Sequence, residues 1–88
     1  MKYQIFYKEI EIGLLEVNET GQHRYTANSE AVQKIKEEVP LIPEMLNGTD
    51  WREPIPFFEE RILNASRFDL AVIQYHTDLF KMVQLKQN

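Results

Sequence analysis

The chain has no cysteine, so neither a disulfide nor a thiolate metal site can reinforce it. Its three glycines, Gly13, Gly21 and Gly48, stand too far apart for a phosphate-cradling loop or a dinucleotide fingerprint. Two serines, Ser29 and Ser66, are all it offers as hydroxyl nucleophiles of that type, and both read as helix-boundary residues without a nucleophile elbow. Nothing approaches the roughly 18 apolar residues of a membrane span. The N-terminal "MKYQIFYKEIEIG" is broken by Lys8, Glu9 and Glu11, so no secretory leader is read there. Clustered positive charge is missing too. Lys and Arg number 10 against 14 Asp and Glu, a formal charge of −4, and the basic residues are scattered. Binding to nucleic acid runs on phosphate neutralisation, so no nucleic-acid partner is expected. These absences point to a soluble cytoplasmic protein with no membrane association and no cofactor.

What is present is ordinary globular composition, 43% hydrophobic and 27% charged, in 88 residues that read as a single domain, 1–88. A chain this short buries only about 60–65% of its extended surface. With no covalent or metal reinforcement, it must rely on good packing or on association with itself or a partner.

From about residue 3 to 27 the pattern is that of an antiparallel β-meander. "YQIFYK" is rich in strand formers, and "EIEIGLLEV" alternates apolar and acidic residues. The alternation changes phase at Gly13-Leu14-Leu15, where Gly13 can supply a bulge or a close backbone approach. The first join falls near Lys8-Glu9; "VNETGQ" is a turn with Gly21 free to take positive φ. "HRYTA" continues as a third strand, with His23 read as exposed in a charged hairpin.

"ANSEAVQKIKEEV" switches to helical period. Asn28 or Ser29 caps it, Ala31, Val32, Ile35 and Val39 share a face, and Pro40 stops it, giving a helix over about 29–38. Pro43 can start one further turn ending at Asn47-Gly48. "TDWREPIP" reads as loop. A second helix then runs from 56 to about 67, entered at Pro56, with Phe58, Ile62 and Ala65 on one face and Phe57 beside it.

Residues 69–87 fit two patterns. Phe68, Val72, Tyr75, Leu79 and Met82 make a helical stripe, whereas Ile73, Tyr75 and Thr77, then Phe80 and Met82, fit two short strands around 76–79. Strand propensity favours the second pattern, with both strands joining the N-terminal sheet. The expected fold is α+β, an antiparallel sheet covered on one face by two helices.

Chemistry-bearing constellations are sparse. His76 and Asp78 stand two apart, which on a strand places both on one face as a pair of ligands or as a base with its orienting carboxylate. A zinc site needs three or four ligands, and no third is evident. Asp78 bonding local amides in a turn is the simpler reading, and the small-enzyme reading built on His76 and Asp78 stands as an alternative. Glu37 and Glu38, like Glu59 and Glu60, are adjacent on helices and diverge by about 100°. No catalytic, cofactor or metal residue is assigned.

The aromatics say more. Trp51, Phe57, Phe58, Phe68, Tyr75 and Phe80 all fall in the second half, and most are expected to fill the core. Trp51 and Phe57, beside Pro54 and Pro56, form a stiff apolar segment suited to contact with a protein partner. Proline-stiffened segments lose little entropy on binding, and aromatic residues are common anchors. These four are the candidate partner-binding residues.

"IGLL" at 12–15, "HRYT" at 23–26, "PLIPEML" at 40–46 and "IPFFEERI" at 55–62 follow one another in an order that resembles the small N-terminal subdomain of HipA-type kinases, also found as the separate protein HipS. The likeness covers about the first two-thirds of the chain. The family's serines after "PL" are missing here, "RILNAS" replaces its "LLPEG", and "YHTDLF" has no counterpart. The resemblance implies a non-catalytic regulatory subunit in which "IPFF" packs internally. Together with the residues themselves, it points to a small protein that acts by association.

Overall fold

A computed structural model of the chain describes residues 1–66, 72–73 and 79–85. Strands β1 (Lys2–Tyr7), β2 (Ile10–Val17) and β3 (His23–Ala27) form the expected meander. Helix α1 (Ser29–Ile35), helix α2 (Pro43–Asn47), strand β4 (Thr49–Arg52) and helix α3 (Pro56–Ser66) follow, then strands β5 (Val72–Ile73) and β6 (Phe80–Gln84). The six strands make one antiparallel sheet in the order β4-β3-β2-β1-β6-β5. Strands β5 and β6 join the N-terminal sheet, as strand propensity suggested, while Tyr75 and Thr77 of the same expectation, like Phe68, lie outside the described residues. No helix among the described residues is long and apolar enough to cross a membrane.

Local chemistry explains most of these elements. The β1–β2 turn is made by Lys8 and Glu9, with Lys8 at φ 54, a conformation uncommon outside glycine. At the next turn the Asn18 side-chain oxygen accepts from the amides of Thr20 and Gln22, and Gly21 takes φ 84. Asn28 caps α1: its Oδ1 accepts from the Ala31 amide at 3.3 Å, while its Nδ2 donates to the Glu11 carbonyl on β2. The helix ends at Ile35, earlier than about 38, and turns closed on the Ile35 carbonyl carry the chain to Val39. Pro43 opens the single turn of α2, and the Ile55 carbonyl receives the first amides of α3, from Phe58 and Glu59.

The change of phase in β2 has a structural cause. Ile5 faces Gly13 but Phe6 faces Glu11, so Ile12 is an extra residue, a bulge. Gly13 beside it also permits a close approach. A Cβ at this position would overlap the Tyr25 ring and hydroxyl, and would lie 2.7 Å from the Thr26 carbonyl oxygen. The bulge puts both Ile12 and Leu15 into the core.

Two expectations fail. Residues 49–52 are strand, not loop: β4 pairs with β3, His23 facing Arg52 and Tyr25 facing Thr49, and the Thr49 hydroxyl accepts from the Tyr25 amide. His23 is not exposed either. It is 3% accessible, and its Nδ1 accepts from the Ile55 amide at 3.0 Å, tying β3 to the entry of α3.

The core lies between one sheet face and the helices. Tyr3, Ile5, Tyr7, Ile12, Leu15, Tyr25 and Met82 come from the sheet. Ala31, Ile35, Met45, Phe58 and Ala65 come from the helices that cover it. Phe58 is wholly buried and stacks on Tyr25 with ring centroids 5.4 Å apart.

Candidate functional site

Alternate residues of the same strands point away from the helices. Each register row can be read across the sheet. In one row Lys2 faces Glu16, which faces Arg24, with Trp51 beyond it on β4. In the next, Thr26, Leu14, Gln4, Val83 and Val72 lie side by side. In the third, Glu11, Phe6 and Lys81 are neighbours. Phe6, Leu14 and Val83 are half-buried by their neighbours, and Val72 and Trp51 are exposed. Among the described residues nothing lies over this face, which is apolar at its middle and charged around it.

One corner of it is tied together by polar contacts. Arg24 binds the Glu16 carboxylate through Nε and Nη2 at 3.0–3.1 Å, and its guanidinium lies 4.6 Å from the Trp51 ring centroid. The planar fork satisfies a carboxylate and an aromatic face at once, an arrangement lysine cannot reproduce. Three strands are thereby joined across the open face, with Trp51 37% exposed.

The four candidate contact residues are divided between surfaces. Trp51 lies on the open face. Pro54 is half-buried in the connection, and Pro56 is exposed at the start of α3. Phe57 is on the helix side, where its ring meets Phe58 at 5.3 Å and Phe80 at 5.5 Å, both edge-on. Arg61 covers its remaining side at 3.6 Å while donating to the Phe57 carbonyl. The structure does not bring Trp51 and Phe57 together. It assembles Trp51 instead with Arg24 and Glu16, which sequence reasoning passed over although their alternation with Tyr25 and Leu15 marked them as facing the other way.

The β4 edge of the sheet is blunted. The Asp50 carboxylate accepts from the Trp51 amide at 2.8 Å, and Asp50, Arg52 and Glu53 charge the β4 edge before Pro54 ends it.

Groups of catalytic type are few among the described residues. No three His, Asp or Glu side chains converge there as a metal site would require. A shallow hollow of about 410 Å³ between β3 and α2 is lined by Tyr25, Thr26, Leu46, Gly48 and Asp50. Burial raises the Tyr25 phenol well above its usual range, and its hydroxyl is buried without a hydrogen-bond partner. Burial lowers the His23 pKa below its ordinary value, and Arg52 acts in the same direction against the opposing effect of Glu59. That histidine is neutral, engaged with Ile55 and enclosed, which suits a structural acceptor. His76 and Asp78 lie outside the described residues.

Searches for similar proteins found no matching family model, no matching curated protein and no matching solved structure.

Proposed function

We propose that this protein acts by protein–protein association, without chemistry of its own, and that the uncovered sheet face is the surface it uses. One observation carries the reading. A sheet whose other face holds the entire described core presents Phe6, Leu14, Val83 and Val72 to the outside, flanked by an indole against the guanidinium of Arg24, which Glu16 binds. Pre-fixed aromatic and arginine side chains lose little freedom on contact and are frequent anchors of interfaces. A cytoplasmic setting belongs to the same reading and is checked by cell fractionation. The test of the surface is Leu14→Arg, which keeps the fold and places a charge at the centre of the face. Association of the purified chain should be lost while its melting curve stays unchanged; unchanged association would remove the face from the proposal.

The HipS-like likeness offers a second reading, a regulatory subunit of a HipA-type kinase. The observation favouring it is the packing of residues 55–58, where Ile55 and Phe58 are buried and Phe57 is lodged between Phe58 and Phe80. Co-purification with a HipA-type kinase tests it, and a failure to bind any such kinase argues against it.

A further inference from the structure

The open face is complementary to itself, and we propose that its occupant is a second copy of this chain, stacked face to face about a two-fold axis parallel to the strands. This rests on the association reading above and adds the partner's identity and orientation. Sheets stack about 10 Å apart with their strands nearly aligned. An axis running between β1 and β2 then lays β2 of one copy over β1 of the other, row upon row. Glu16 meets Lys2 of the other copy, and by symmetry Lys2 meets its Glu16. Leu14 meets Gln4, Thr26 meets Val83, and Glu11 lies against Phe6 near Lys81.

The alternative two-fold, perpendicular to the strands, inverts the rows. It sets Glu16 against Glu11 of the other copy twice over, a like-charge contact that disfavours it. Edge-to-edge pairing through β4 meets the Asp50–Trp51 clasp and the neighbouring charges. Self-complementarity of a single patch is what a closed two-fold dimer requires.

Size sets the expected strength. Six strands at about 4.8 Å spacing and about 17 Å of strand length give roughly 490 Å² of projected face per copy. Even with side-chain relief added, that falls at the weak, transient end of interface sizes, below about 1,200 Å² in total. The dimer should therefore be concentration-dependent and in fast exchange.

Charge reversal in separate copies isolates the contact between them. Lys2→Glu puts Glu against Glu16 of the second copy, and Glu16→Lys puts Lys against its Lys2, so each variant alone should dimerise about tenfold or more weakly than the original chain. Mixed together, the two variants place opposite charges at both symmetric positions. Sedimentation velocity from about 10 μM to about 1 mM, with melting curves to establish that each variant is folded, reads the result. A heterodimer in the mixture where neither variant self-associates supports the proposal. Three results overturn it: an original chain that stays monomeric throughout the range, a mixture no better associated than its components, or self-association that Leu14→Arg leaves intact. The broader association reading fails separately, if no binding of any kind responds to Leu14→Arg.

Discussion

The two faces of the sheet are built from alternate residues of the same strands, yet they differ in almost every physical respect. Towards the helices, Tyr3, Ile5, Tyr7, Leu15 and Tyr25 are at most 4% accessible. One residue away along each strand, Gln4, Phe6, Leu14, Glu16 and Arg24 remain within reach of solvent. The covered side places its aromatics in mutual contact, with Tyr25 on Phe58 and Tyr7 near Phe80 at 5.6 Å. The open side sets its indole against a charged pair instead. In a small sheet protein, stability can thus be concentrated on one side, which leaves the other able to accept substitution and contact.

That contrast can be broken by mutation, beginning where the effect should be greatest. Phe58→Ala removes a wholly buried ring and should cost about 3–5 kcal/mol, comparable to the entire stability of a domain this size. Denaturant titration should find this variant largely unfolded. Gly13→Ala drives a methyl group into Tyr25 and the Thr26 carbonyl and should cost about 1–3 kcal/mol. Tyr25→Phe removes a buried hydroxyl that has no partner, so it should be neutral or slightly stabilising, and it should recover part of the Gly13→Ala loss.

His23 makes the covered side sensitive to acid. Its folded pKa is lowered, first by burial, so below about pH 6.5 the unfolded chain takes up the proton more readily than the folded one. The contribution is present above that pH and is lost as pH falls towards the lower folded value, by at most about 1.4 kcal/mol per pH unit. Melting temperatures between pH 7.5 and pH 5, compared with those of His23→Gln, should reveal the slope in the original chain and a flatter one in the variant.

The open side should respond least. Trp51→Ala should cost under about 1 kcal/mol, since it gives up a half-exposed cation–π contact and little burial. Leu14→Arg should change stability by no more than about 0.5 kcal/mol. If Trp51→Ala proved more damaging than Phe58→Ala, the division between the faces would be wrong.

Signals that act within a few residues of chain were legible in the sequence. Asn28 before the helical period, proline at positions 43 and 56, and the Gly21 turn each set a local conformation that the fold retains. Strand β4 was not legible. "TDWREPIP" carries loop residues, and Thr49–Arg52 becomes strand through its pairing with β3. His23 was misread for a related reason. Its neighbours Gln22 and Arg24 are polar, but two-residue alternation with Tyr25 places it inside, where the Ile55 amide supplies the partner it needs.

The candidate surface was half visible. Trp51 was singled out by type, but its association with Arg24 and Glu16 spans three strands and depends on a register that local spacing cannot supply. Pro54, Pro56 and Phe57 were grouped with it because they are close in sequence, and the chain turns away from the open face after Arg52 to begin α3. The Ile12 bulge concealed which half of β2 faced outward, since Ile12 and Leu15 are both buried although three apart.

The central claim is that one sheet face holds the fold and the other meets a second copy of the chain. Backbone and methyl NMR shifts followed on dilution of the original chain measure this residue by residue. The account predicts concentration-dependent shifts at Phe6, Leu14, Val83 and the Trp51 indole, with Ile5, Leu15, Phe58 and Met82 unmoved. Shifts confined to the helices or to the β4 edge, or none across the whole concentration range, would contradict it.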